Sequence, residues 1–355
     1  MTKLTDALTL RSGATIKNRF VLAALTNTQS HADGVLSDEE YRWLTMRAQG
    51  GFGLTMTCAA SVQEEGVGFP GQLGFHDERH LPGLTRLAEG IKAHGSLSIA
   101  QLHHGGVRAM TNPKGPSEDA KLKAQAMTLD EIKRSRDCFI SAAQRAERAG
   151  FEGVELHGAH GYLICTFLSP ELNRRDDEYG GDAEKRARLL FEIVDGIRAA
   201  TKPGFTLGVR LSPERWGLVL PEVRDVAQKL MRDAKIDFID MSLWDVKKEP
   251  EMEAFKGRTL ASYFAELERG DVRLGAAGKI MSAADAQAVI DAGYDFPIIG
   301  RGAVLHHDFA KRAGADPNFV VIATPVSEAY LEAEGLSPKF VKYMRNWQGF
   351  VEDAV

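Results

Sequence analysis

The chain has 355 residues, 44% of them hydrophobic and 26% charged, the profile of an ordinary globular protein rather than a disordered or fibrous one. A formal net charge of −5 with both signs interspersed leaves no basic stripe for nucleic acid, and no apolar run is long enough to span a bilayer. Cys58, Cys138 and Cys165 are far apart with no CxxC pair, which argues against a disulfide framework or zinc ribbon and for a reducing, cytoplasmic setting.

Residues 8–16 alternate around Ser12-Gly13 and read as a short hairpin. A unit of apolar strand, polar or glycine-rich loop and helix then recurs. Strand one is expected over 20–25, and Ser37-Asp38-Glu39-Glu40 is a capping-box signature for a helix ending near Gly50-Gly51. Strand two is expected over 53–59 with a helix over 80–94, and strand three over 97–102. Thr128-Leu129-Asp130-Glu131 caps a helix that runs to Gly150. Strand four is expected over 153–157, followed by a helix over 184–200; strand five over 205–211, with a helix from Pro221. Strand six follows over 237–242 with a helix over 260–268, strand seven over 272–276 with a helix opened by Ser282, and strand eight over 295–299 with a helix from Ala303. The tail beyond residue 314 is expected to be helical in places and to pack on the outside.

Eight such units without a break in composition predict one α/β domain over 1–355, a (β/α)8 TIM barrel with a short N-terminal hairpin and a partly helical C-terminal tail. An open doubly wound sheet is the competing architecture.

Barrels of this kind place their chemistry at the C-terminal strand ends. Strand four runs into Leu156-His157-Gly158-Ala159-His160-Gly161-Tyr162, where two imidazoles and a phenol on a glycine-spaced loop suit an oxygen clamp, a proton relay or a metal. Gly278-Lys279 and Gly300-Arg301 end strands seven and eight, where a phosphate is often held by glycine N–H groups and cations. Ordinary solvated charges are the plainer reading of that lysine and arginine. Gln101 and Arg210 end strands three and five, a donor–acceptor amide and a fixed cation that suit the imide edge of a flavin-like ring. By alternation Glu155 shares the inward face of His157, so a buried Arg210–Glu155 pair is expected as well.

At these residues the chain resembles the old yellow enzyme family. The resemblance rests on residues 18–26, the Gln101-Leu102-His103-His104-Gly105-Gly106 turn, residues 157–163, Phe167-Leu168-Ser169-Pro170, residues 173–181, Val209-Arg210-Leu211-Ser212 and Ile299-Gly300-Arg301. It implies an FMN-containing barrel that takes hydride from NADH or NADPH and passes it to an activated alkene. It also implies cofactor contacts at Ala24, Leu25, Thr26, Ala59, Gln101, Arg210, Gly278, Lys279, Gly300 and Arg301. His157 and His160 would hold the substrate's carbonyl or nitro oxygen, Tyr162 would protonate its α-carbon, and His103 would line the substrate pocket. Two N–H donors suit a developing enolate oxygen, and a phenol retains its proton at neutral pH. The sequence departs from the family at Ala24, where proline is frequent, at His103, where one branch carries tryptophan, and at Gly106-Val107-Arg108.

Three other readings compete. Gly66-Val67-Gly68-Phe69-Pro70-Gly71 fits GxGxxG but has a polar break before it, no helix start after it and a proline inside it, so it reads as a loop near the pocket. The clustered histidines admit a metal-dependent barrel hydrolase, yet strand one carries no His-x-His and no strand end an obvious ligand carboxylate, so no metal residues are assigned. A barrel that binds a phosphorylated ligand without turnover is the third. The expected partners are small molecules, without nucleic acid or membrane; the sequence leaves open whether the chain is a homo-oligomer.

Overall fold

A computed structural model describes residues 2–353. Eight strands close into a barrel: β1 (Val21–Leu22), β2 (Leu54–Ser61), β3 (Leu97–His103), β4 (Gly153–Gly158), β5 (Thr206–Leu211), β6 (Phe238–Ser242), β7 (Arg273–Ala277) and β8 (Phe296–Ile299). Every pairing is parallel, and β8 returns to β1 with Ile298 opposite Val21. Parallel strands need helical crossovers, and these cover the barrel's outer face, leaving the strands buried on both sides. The expected (β/α)8 architecture is therefore the observed one.

The departures are local. β1 is shorter than predicted, because the Ala24 carbonyl accepts from Arg210 Nη1 at 3.3 Å inside the barrel rather than from a neighbouring strand. β2 runs on to Ser61 after a bulge between Met56 and Ala59, with the Thr57 hydroxyl accepting from the Gln101 N–H at 3.1 Å. That shift sets Ala59 opposite Gln101. The capping box at Ser37 is only half made. Ser37 caps the Glu40 N–H, but the Glu40 carboxylate turns into the core to meet Asn27 and Ser30. At Thr128 both halves form, and the helix Leu129–Arg148 follows. A helix at Leu163–Leu168, not anticipated, follows directly on the Tyr162 loop.

The hairpin of Leu8–Thr9 with Thr15–Ile16 closes the N-terminal end, where Leu8, Leu10 and Ile16 join Met56, Ile99, Phe238 and Phe296 in one apolar cluster. Phe238 and Phe296 meet edge to face at 5.9 Å between ring centroids. Two strand glycines make that floor possible: a Cβ on Gly208 or on Gly275 would come within 2.1 Å of the Phe238 or Phe296 ring. The barrel is thus dry below and polar above.

The tail does more than pack outside. Phe340, in the helix Pro338–Met344, meets Trp43 edge to face, and Tyr343 and Trp347 then reach the C-terminal mouth of the barrel. Among the described residues no helix is long and apolar enough to cross a membrane.

Candidate active site

The polar layer above the aromatic floor is set by strand alternation and register. Gln101 on β3 pairs with Glu155 on β4, His157 on β4 with Arg210 on β5, and Arg210 with Asp240 on β6. Gln101 Nε2 donates to Glu155 Oε1 at 2.6 Å. Arg210 Nε lies 3.0 Å from Asp240 Oδ2, an ion pair whose angle is not that of a directed hydrogen bond. The expected Arg210–Glu155 contact is therefore corrected. Asp240 is the direct partner and Glu155 is taken by the amide, because β6 is the adjacent strand that brings a carboxylate level with the guanidinium. Both carboxylates are fully buried; burial pushes each pKa up, Asp240 adds to the rise at Glu155, and Arg210 opposes it at both. Gln101 Oε1, Glu155 Oε2, Arg210 Nε and both Asp240 oxygens have no hydrogen-bond partner among the described residues.

One turn higher, the Tyr162 loop folds over the mouth. His160 holds a left-handed φ of +62°, uncommon for a side-chain-bearing residue. Its N–H donates to Ser212 Oγ at 3.1 Å, and its carbonyl accepts from Arg108 Nη1 at 3.1 Å. Gly161 follows at φ +72°, where a Cβ would sit 2.5 Å from the Trp216 ring. The sequence-predicted trio comes together with His103: ring centroids lie 5.0 Å apart for His157 and His160, 5.2 Å for His157 and Tyr162, and 4.3 Å for His103 and Tyr162.

The two imidazoles do not stand side by side facing one acceptor. His157 Nε2 is 3.2 Å from His160 Nδ1, and His160 Nε2 is 2.8 Å from Ser242 Oγ. The Ala159 N–H reaches His157 Nδ1 at 3.4 Å, which assigns the tautomers by hydrogen-bond pattern. His157 then carries its proton on Nε2 and donates to His160, which donates in turn to Ser242. Burial is the main cause that holds His103, His157 and His160 well below the usual histidine range, with the neighbouring imidazoles and, for His157 and His160, Arg210 adding to it. All three are neutral at physiological pH, so each carries a single N–H.

His103 Nδ1 meets Gln72 Nε2 at 2.9 Å, and Gln72 Oε1 accepts the Gly68 N–H at 2.8 Å. The rejected glycine motif is thus a loop tied to the site through Gln72, and His103 Nε2 is left buried without a partner.

At the far side, Gly278 and Lys279 follow β7 with φ of +157° and +47°, and Lys279 Nζ pairs with Asp245 at 3.0 Å. Gly300 and Arg301 follow β8, and a Cβ on Gly300 would find its nearest neighbour only at 3.6 Å. Arg301 is half-buried and makes no ion pair among the described residues; its guanidinium faces Trp347 at 5.0 Å from the ring centroid. Thr26 lies beside the Tyr343 phenol, which burial pushes up and Thr26 draws down, with Tyr162 also close. Ala24, Leu25 and Ala59 line the intervening rim, with Ala24 and Ala59 buried.

Sequence reasoning missed Asp240, Ser242 and Tyr343 as members of this site. Strand alternation from Ser242 back to Asp240 would have found the first two. Nothing local marks Tyr343, which arrives on the tail. Among the described residues no group of three or more His, Cys, Asp or Glu side chains is arranged to hold a metal. Cys58 and Cys165 are buried, and burial pushes both thiols up.

Residues 3–317 match the model of the NADH:flavin oxidoreductase / NADH oxidase family. The chain is 35% identical over 345 residues to the probable NADH-dependent flavin oxidoreductase YqiG of Bacillus subtilis (strain 168), covering 93% of this chain and 90% of that protein. It is 29% identical over 337 residues to NADH:fumarate oxidoreductase of Klebsiella pneumoniae (strain 342), covering 88% of this chain but only 36% of the longer protein. Among solved structures, the old yellow enzyme homologue from Zymomonas mobilis superposes with a TM-score of 0.79 at 27% identity, covering 95% of this chain and 98% of that one.

Proposed function

The chain belongs to the NADH:flavin oxidoreductase / NADH oxidase family, an FMN-dependent oxidoreductase served by NAD(P)H, and on that premise we propose that it reduces activated alkenes such as enones and nitroalkenes. The observation that carries this reading is the juxtaposition of neutral His157 and His160 with the Tyr162 phenol, directly above buried Gln101 and Arg210.

The residues present fit the cofactor. Gln101 Oε1 is a buried polar atom without a partner, and the Arg210 guanidinium, though ion-paired with Asp240, makes no directed hydrogen bond from Nε, so an imide edge can donate to the first and accept from the second. Arg301 is a half-buried cation with Asp245 nearby but no ion pair among the described residues, close to two glycines and Lys279, which suits a phosphate. Ala24, Leu25, Thr26 and Ala59 complete the rim. When bound, FMN supplies hydride transfer from NAD(P)H to the alkene's β-carbon.

The chain's own residues do the rest. His157 donates from Nε2 to the substrate's carbonyl or nitro oxygen and steadies the charge that develops there. Each donor must first leave a partner, His157 Nε2 its bond to His160 and His160 Nε2 its bond to Ser242, so the clamp opens only as the substrate oxygen enters. Tyr162 donates its hydroxyl proton to the α-carbon, and His103 walls the pocket behind it.

The test separates the half-reactions. In Tyr162→Phe, anaerobic stopped-flow should show flavin bleaching by NADPH or NADH unchanged within about threefold, while reoxidation by an enone falls by about 10²-fold or more. Equal losses in both halves would remove the proton-donor role. A preparation that carries no FMN and cannot be reconstituted with it would remove the cofactor site.

A further inference from the structure

The layer behind Gln101 and Arg210 holds more ionisable groups than cofactor binding needs. Glu155 and Asp240 are both at 0% exposure, and among the described residues the one cation facing either of them is Arg210. Nothing from the other elements balances the second carboxylate. β3 presents the neutral Gln101, the stretch after β1 the Ala24 carbonyl, and β7 sets Gly275 opposite Asp240. His157 and His160 above are neutral imidazoles, and Phe238 and Phe296 below exclude water. Two carboxylates and one guanidinium in a dry layer cannot both stay ionised cheaply, so the pair retains a proton at neutral pH.

Each member is wired to one of the two cofactor-edge residues. Glu155 accepts from the Gln101 amide, and Asp240 pairs with the Arg210 guanidinium. We propose that Glu155 and Asp240 are a buried proton-accepting pair behind the cofactor's pyrimidine edge, taking up one solvent proton when reduction makes that edge negative. The inference rests on the assignment of Gln101 and Arg210 to that edge.

The step balances. NAD(P)H gives one hydride, two electrons and a proton, leaving NAD(P)+ and a ring with one added negative charge. Arg210 already balances the one ionised carboxylate and cannot also compensate that charge. One proton from water therefore binds the still-ionised carboxylate, and the layer's net charge is unchanged by reduction. Glu155 and Asp240 act as positioning residues through Gln101 and Arg210; neither touches substrate.

The experiment measures protons and potential rather than turnover. Holoenzyme in weak buffer with a pH indicator is reduced by one equivalent of NADH under anaerobic conditions. The proposal expects close to one proton taken up per flavin in the wild type, and none in the Glu155→Gln, Asp240→Asn double variant, which leaves no carboxylate to accept it. The bound flavin's midpoint potential, followed spectroscopically from about pH 6 to about pH 9, should fall in the wild type by two protons' worth per two electrons. At about 30 mV per pH unit for each proton, that slope is halved in the variant. Protonation of the reduced ring itself would change its absorption across the titration, whereas protonation of the carboxylates leaves the spectrum fixed. Absence of proton uptake by a wild type that binds and reduces FMN overturns the proposal and leaves the cofactor site standing. So does the same slope in both proteins, or a spectrum that titrates. Should the double variant fail to fold, the wild-type uptake and spectrum decide alone. FMN affinity unaffected by Arg210→Met would instead remove the edge assignment on which the inference rests.

Discussion

Replacing Arg210 by methionine keeps most of the side-chain stem and removes the charge between two buried carboxylates. Asp240 loses a partner at 3.0 Å, Glu155 loses the cation that draws its pKa down, and the Ala24 carbonyl loses a donor at 3.3 Å. Breaking one side of a buried ion pair costs about 3–5 kcal/mol, most of it from the charge left behind. The pH dependence has a definite sign. Folded-state pKa values of Glu155 and Asp240 lie above their unfolded values, so the stability they leave to the fold declines as pH rises from the ordinary carboxylate range through the raised values. Without Arg210 both are raised further, and the penalty grows with pH. In urea denaturation of FMN-stripped protein at about pH 8, with an m-value of about 3 kcal/mol/M, the midpoint should drop by roughly 1 M or more. The drop should be smaller at about pH 5.5, and smaller again in the Arg210→Met, Glu155→Gln double variant. An identical drop at both pH values would show that lost packing, not stranded charge, sets the cost.

Two further outcomes follow from single contacts. Ser242→Ala removes the acceptor that holds His160 Nε2 at 2.8 Å, so His160 is free to turn toward a substrate oxygen. A hydrogen bond of about 0.5–1.5 kcal/mol then predicts a KM for enones lower by about two- to tenfold with FMN affinity unchanged. An unchanged KM would mean that the serine does not restrain the ring. Arg301→Met should weaken FMN by about 10- to 100-fold, as expected for one charge-assisted bond to phosphate, while riboflavin, which has no phosphate, binds both proteins alike. Equal weakening of the two flavins in a fluorescence titration would place Arg301 elsewhere.

Much of the architecture is legible in the chain because barrel strands obey short-range rules. The alternation that buries Glu155 and His157 together, and the capping residues Ser37, Thr128 and Ser282, each announce an element within a few positions. The strand-end chemistry is legible for the same reason: Gln101, His157, Arg210 and Arg301 sit where their strands leave the core. What escapes is whatever depends on partners across the barrel. That Arg210 chooses Asp240 over Glu155 is set by register, since Asp240 on β6 stands opposite Arg210 whereas on β4 it is His157 that does and Glu155 stands opposite Gly208, and that His160 bonds His157 and Ser242 follows from a left-handed residue no local propensity favours. Glu40 shows the same limit at a helix start, where a buried polar cluster outcompetes the cap. Tyr343 and Trp347 could not be placed without the path of the tail.

That path has a consequence for how such enzymes diversify. The family match ends at residue 317, yet Tyr343 sits beside Thr26 and Tyr162, and Trp347 faces Arg301. Part of the roof of the pocket is therefore built from the C-terminal stretch beyond the family model, seated on the barrel largely through Phe340 and its neighbours. Substitutions along that tail can reshape the space above the acceptor while the strands that carry Gln101, His157 and Arg210 stay as they are.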